Sequence, residues 1–194
     1  SPMPAPNPAA LDFLLTRRSR PARTLTTPVP SRSDLRPILT AALRVPDHGK
    51  LEPWRLVVLE RAACQRLAAS AEALAKVKAL DPDQAAKGVA QFADAHLVVA
   101  VVKVPRPTDR IPEVEQILSA GNVCLTLLNA ALAAGWGACW LTGWHVADEG
   151  FRREAMGLHP GEWIAGLIHI GTETAAPPDR PRPDLDAITT WVAA

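Results

Sequence analysis

The chain has 194 residues, 48% of them hydrophobic, enough for an ordinary core and most simply arranged as one domain. Its 21 basic and 20 acidic side chains nearly cancel, so no bulk field recruits nucleic acid or an anionic membrane. Three widely spaced cysteines, Cys64, Cys124 and Cys139, argue against a disulfide framework and for a reducing compartment.

Ser1 to Ala10 is rich in Pro and Ala and lacks the apolar run of a signal peptide. Residues 1–10 are expected to be a flexible N-terminus, with Ser1-Pro2 an expression remnant ahead of Met3. A single domain is expected over 11–194, and the protein is expected to be cytoplasmic. Asn7-Pro8 supplies an N-cap and a first-position proline, followed by a helix from Ala9 to Arg17. Ser31 caps a second helix, running to about Val45. Pro46 to Pro53 is a loop, and Leu56 to Leu59, led by Trp54, reads as a strand. Arg61 to Val77 and Asp83 to Ala95 read as helices with weakly apolar faces, expected as an outer layer or mobile excursion. Leu97 to Val104 is an almost unbroken β-branched run, expected as a central strand buried on both faces.

Glu113 to Gly143 is the longest apolar stretch. Its first two thirds read as a helix apolar on nearly every face, so Ile117 to Ala134 are expected to be buried in a core or a dimer. Ser119, Gly121, Asn122, Thr126 and Asn129 argue against a membrane span. Gly135 ends this helix, and Trp136 to Leu141 reads as a strand. A short helix is expected from Asp148 to Gly157, a further strand over Trp163 to Ile170, and a helical turn or strand within Leu185 to Val192. The pattern gives one α+β domain, a small central sheet with helices on both faces.

Two clusters have chemical potential. Arg17-Arg18-Ser19, with Arg20 and Arg23 behind, suits a phosphate monoester, because guanidinium binds phosphate bidentately and a serine adds a short hydrogen bond. The same residues are also ordinary decoration of a helix C-terminus. Arg44 to Trp54 gathers Asp47, His48, Lys50 and Glu52 in a loop bounded by prolines, either a ligand loop or a surface turn. The five histidines are scattered without metal-ligand spacing, so no metal is expected, and His96 and His169 read as satisfied structural histidines. No glycine-rich nucleotide fingerprint is present. Cys139 lies in an apolar strand without a setting that would lower its pKa.

Together these pieces resemble the nitroreductase family of FMN-dependent oxidoreductases, in its short branch. The resemblance rests on Arg17-Arg18-Ser19, on Pro46-Asp47-His48 through Pro53-Trp54, and on Gly135-Trp136-Gly137 through Trp140, in order from about Leu11 to Gly171. It implies a mainly antiparallel sheet and a homodimer with two FMN sites at the subunit interface. It assigns Arg17, Arg18 and Ser19 to the FMN phosphate, with Arg23, Arg180 and Arg182 as further candidates. Arg44 and His48 reach the flavin from the partner chain, and Trp140, Leu141 and Thr142 lie against the isoalloxazine. Ala130, Ala131, Leu132, Ala133, Ala134 and Gly135 become the NAD(P)H neighbourhood. Many longer members carry Ser, Asn and Gln where this chain has Asp47, Lys50 and Glu52. Lys50 can donate to a flavin carbonyl, but ionised Glu52 cannot.

The activity implied is ping-pong hydride transfer from NAD(P)H through FMN to a nitroaromatic, quinone or related acceptor. No side chain has a required acid–base role, and His48 is the candidate contact at the acceptor site. The alternatives are a flavin-binding or regulatory protein with little turnover, and a scaffold whose apolar helix serves only dimerisation.

Overall fold

The computed structural model describes residues 3–194, so the expectation about Ser1-Pro2 lies outside the described residues. At its centre is β3 (Leu97–Lys103), buried at every position. Seven consecutive buried residues need cover on both faces, which the alternation of a strand supplies. Val98, Ala100 and Val102 face one apolar cluster, and Leu97, Val99 and Val101 face the other.

β3 lies between β2 (Trp54–Glu60) and β5 (Trp163–Glu173), with Val57 opposite Ala100 and Ala100 opposite Leu167. The eleven residues of β5 outrun β3. Its end therefore also pairs with the two-residue β1 (Leu25–Thr26), while its other edge pairs with β4 (Gly137–Leu141), Cys139 lying opposite His169. Every pairing is antiparallel, giving a five-stranded sheet. Sequence patterning misses β1 because two residues carry no period.

One face is covered by α2 (Arg32–Ala42) and α5 (Glu113–Ala133), through Leu35, Ile38, Val123 and Leu127. The Ser31 side chain caps α2 by accepting from the Asp34 backbone N–H at 3.1 Å. The other face is covered by α3 (Arg61–Val77) and α4 (Pro82–Ala93). They form an outer layer whose inner faces are tightly packed: Cys64, Leu67, Ala71 and Phe92 are fully buried in the second cluster. Small alanine faces look weakly apolar in sequence, yet they let helices approach closely. Gly88 shows the tightness, because the Trp144 indole occupies the space its Cβ would need.

α1 (Pro8–Thr16) begins within the stretch expected to be flexible, and Asn7 Oδ1 accepts from the Ala10 N–H at 3.1 Å. α6 (Trp144–Ala147) is an extra turn without a counterpart in the sequence reading. The short helix expected from Asp148 to Gly157 follows it, α-helical at Glu149 and Gly150, π-helical over Phe151–Ala155, and ended by Gly157 at φ +70°. Asp148 caps it, its carboxylate accepting from the Phe151 N–H at 2.8 Å. The C-terminal stretch contains α7 (Leu185–Ile188), a single exposed turn.

α5 is buried on one side in the single chain. Val123, Cys124, Leu127, Leu128 and Ala131 pack on the sheet, but Val114, Leu118 and Leu125 are 58%, 62% and 43% exposed in the single chain. They recur every four and seven residues, which makes one helical stripe. α5 is the one helix among the described residues long and apolar enough to cross a membrane by length and composition, and it packs on the sheet. Its end is a Schellman motif. Gly135, at φ +92°, donates to the Leu132 carbonyl at 3.0 Å, and Trp136 donates to the Ala131 carbonyl at 3.1 Å.

Candidate functional site

The segment after α1 is held by the start of β4, where the Arg20 N–H donates to the Ala138 carbonyl at 2.8 Å. Arg20 also pairs with Glu173 at the end of β5. These bonds fix Arg17-Arg18-Ser19 beside the exit of α5. Arg17 Nη2 donates to Ser19 Oγ at 3.2 Å, while Arg17 Nε is buried without a partner. Loss of hydration, and then the like charge of Arg18, lower the Arg17 pKa, so the group favours a nearby anion. Arg18 donates to the Pro178 carbonyl and lies 3.8 Å from Asp179. Arg182 Nη2 donates to the Leu15 carbonyl at 2.6 Å, which folds the proline-rich tail back onto α1.

Residues 15–19 and 179–183 thereby enclose an open cleft of about 590 Å³. Four guanidinium groups, Arg17, Arg18, Arg180 and Arg182, line it against the single carboxylate of Asp179. A cationic cleft with an unpartnered buried N–H and a serine hydroxyl fits a phosphate monoester. Arg23 is not part of it. That residue lines a separate cavity of about 130 Å³ with Lys87, Gln91, Asp94 and His169.

β4 runs back from the exit of α5 and sets the Trp140 indole alongside the helix near Gly121, with Leu141 ending the strand and Thr142 just beyond it. The Trp140 indole donates to the Ala165 carbonyl at 3.2 Å and remains 39% exposed. It lies over Gly166, where a Cβ would collide with the ring and come within 2.9 Å of Cys124 Sγ. The Thr142 carbonyl accepts from Gln91 Nε2 of α4 at 3.0 Å. The result is an aromatic edge followed by accessible backbone, a surface suited to a flat ligand.

The Pro46–Trp54 loop sits at the other end of α5. Asp47 closes it, accepting from the Leu51 and Glu52 N–H groups at 3.2 and 2.9 Å. Gly49, Lys50 and Glu52 adopt φ of +75°, +51° and +48°, which the Asp47 brace holds in place. Ser119 Oγ joins the loop to α5, donating to the Pro46 carbonyl at 2.7 Å while accepting from Trp54 Nε1 at 3.1 Å. His48 Nδ1 lies 3.2 Å from a Glu115 carboxylate oxygen. Arg44 is exposed nearby in sequence, just after α2. The 21 residues of α5 span about 30 Å, so one chain does not bring His48, against Glu115 in the first turn, to Arg17 beyond the exit.

Of the nucleotide neighbourhood, Ala131 is wholly buried in the core and closed to a ligand, a correction forced by its place on the sheet-facing side of α5. Ala130 and Leu132 are half-buried; Ala133, Ala134 and Gly135 are exposed. His169 is also corrected: its Nε2 is buried without a partner, as is that of His145. Burial lowers both pKa values to about 4. The Gly88 backbone opposes the shift at His145, yet no acceptor meets hydrogen-bond geometry at its Nε2. Burial pushes the Cys139 thiol up to about 12, in line with its lack of an activating setting. Among the described residues, no three His, Cys, Asp or Glu side chains are grouped to hold a metal. The sequence reading missed Asp179 and Gln91, because an isolated carboxylate in a tail and one glutamine in an alanine-rich helix carry no pattern.

Residues 14–172 match the family model for the nitroreductase family. The chain is 32% identical over 163 residues to the Escherichia coli K12 protein YdjA, which carries the provisional name NAD(P)H nitroreductase; the match covers 84% of this chain and 87% of that one. Among solved structures, a nitroreductase-like family protein from Bacillus cereus superposes with a TM-score of 0.79 at 21% identity, covering 100% of both chains. A nitroreductase from Desulfovibrio desulfuricans, solved in complex with FMN, gives 0.73 at 23% identity over 97% of this chain and 99% of that one. By sequence and by fold, this chain belongs to the nitroreductase family.

Proposed function

We propose that the protein is an FMN-dependent NAD(P)H oxidoreductase that works as a homodimer. The observation that carries this is the cationic cleft at Arg17, Arg18 and Ser19, with its unpartnered Arg17 Nε, beside the open Trp140–Thr142 edge. In this reading Arg17, Arg18 and Ser19 hold the phosphate, with Arg180 and Arg182 at the rim of the cleft. Trp140, Leu141 and Thr142 orient the isoalloxazine and exclude water from one side of it.

Arg44 and His48 of a second copy complete the site. The exposed α5 stripe favours such pairing, since antiparallel packing of two α5 helices sets the loop end of one beside the cleft end of the other. Exposed Ala133, Ala134 and Gly135 admit the nicotinamide donor. When bound, FMN supplies the redox chemistry, ping-pong hydride transfer from NAD(P)H to a nitroaromatic, quinone or related acceptor. The side chains bind and orient, and none is required as an acid or base.

The test is anaerobic addition of NADH or NADPH to the FMN-loaded protein. The flavin absorbance should bleach, then return when a quinone or nitroaromatic is added. Flavin that stays oxidised with both donors contradicts an oxidoreductase role.

A further inference from the structure

Beneath the Thr142–Gly143 turn, on the sheet face away from α5, lies a polar cluster that the reading above leaves unused. Gln91 of α4 donates from Nε2 to the Thr142 carbonyl at 3.0 Å. That bond fixes the orientation of the amide, because a flipped Oε1 would face another oxygen. Gln91 Oε1 is then buried without a partner, as are His145 Nε2 and His169 Nε2. His145 Nδ1 accepts the Val146 N–H at 2.8 Å, so the neutral ring carries its proton on the unpartnered Nε2.

Gln91 and His145 lie against the turn from behind, with His169 further along β5. A Cβ on Gly143 would come within 2.8 Å of the His145 ring and 3.3 Å of Gln91 Nε2. Gln91 and His169 line one cavity of about 130 Å³, with Arg23, Lys87 and Asp94 also in its wall. A space of that size accommodates waters that join Gln91 Oε1 to His169 Nε2. Buried polar groups left unpaired are costly, so the meeting of Gln91 and His145 behind one turn marks a position that must be held.

We propose that Gln91 is a positioning residue for the cofactor. By holding the Thr142 carbonyl from behind, it sets the angle at which the Trp140–Thr142 backbone meets the flavin. This inference rests on the FMN reading proposed above. It assigns a role to α4, a helix that none of the family-resembling motifs includes.

The test titrates FMN into apo-protein, read by flavin fluorescence, for the wild type, Gln91→Leu and Gln91→Glu at pH 8 and pH 5.5. Gln91→Leu should bind FMN about 5- to 10-fold more weakly at both pH values, the size of one hydrogen bond, with its flavin absorption band shifted. Gln91→Glu cannot donate when ionised. It should be as weak at pH 8 and recover toward the wild type at pH 5.5, each compared at the same pH. Recovery in Gln91→Glu supports the proposal even if Gln91→Leu fails to fold. Affinities equal to wild type at both pH values, or a Gln91→Glu defect unaffected by pH, overturn it. Wild-type protein that binds no FMN overturns the flavin reading itself and this inference with it.

Discussion

Arg17 and His48 stand at opposite ends of α5. Arg17 is tied through Arg20 to Ala138, just beyond the helix exit, and His48 lies against Glu115 in its first turn. About 30 Å of helix lies between these ends, and between them runs the exposed stripe of Val114, Leu118 and Leu125. A site that uses both residues therefore needs two chains. Sedimentation should show a particle of twice 20.8 kDa. Leu118→Glu puts a charge into this exposed stripe and, where the stripe is the dimer face, should yield monomers that no longer retain FMN. A Leu118→Glu protein that stays dimeric removes α5 from the interface.

Arg17→Ala removes a charged donor whose buried Nε has no acceptor within the chain. FMN affinity should fall about 10- to 100-fold, as for a lost charge-assisted hydrogen bond, with a smaller loss for Ser19→Ala. Fluorescence titration checks the order, and unchanged affinity in Arg17→Ala excludes it from the phosphate site.

Much of the framework is legible in the sequence. Arg61 to Val77 forms a helix with the expected ends, and β3 is buried on both faces because six consecutive apolar residues, Leu97 to Val102, leave few alternatives. The Gly135 stop is legible because a left-handed residue closes the Schellman motif. Other features depend on partners distant in the chain. The faces of α3 and α4 are alanine-rich, and their burial follows from the sheet they meet. Leu25 and Thr26 become a strand only because β5 extends past β3. His145 looks like any scattered histidine until Phe92 and Phe151 pack around it. Asp179 enters the cationic cleft only because Arg182 folds the tail back to Leu15.

The two buried histidines set an acid limit on stability. Burial holds His145 and His169 at about 4, below the ordinary 6.5, so between those values the unfolded chain binds more protons than the folded one. This contribution to stability is complete above pH 6.5 and is lost as pH falls toward 4. Each group contributes a slope of up to about 1.4 kcal/mol per pH unit in that window. Urea unfolding at pH 7 and pH 5 should show the loss, and His145→Phe should flatten it. Equal stability at both pH values in the wild type contradicts the burial of neutral rings.

Gly166→Ala should displace Trp140, since the new methyl meets the indole and Cys124 Sγ together. Overpacking of this kind costs about 1–3 kcal/mol. A changed tryptophan emission with lower melting temperature is expected; an unaltered spectrum and stability would place the indole elsewhere.

Cys64, Cys124 and Cys139 are buried, with thiols pushed up to about 11, 12 and 12 by loss of hydration. A thiol reagent at pH 8 should label none of them in the native protein and all three after denaturation. Rapid native labelling of Cys139 would reopen a nucleophilic role for it.

The most direct test of the proposed site compares FMN with riboflavin in calorimetric titrations of apo-protein. The two ligands share the isoalloxazine and differ at the phosphate, so their difference isolates the Arg17-Arg18-Ser19 cleft. FMN should bind at least about 100-fold more tightly, the scale of two charge-assisted contacts. Its stoichiometry should be one per chain, and Arg17→Ala should narrow the gap. Equal affinity for the two ligands, or no binding of either, contradicts the assignment of this cleft to a flavin phosphate.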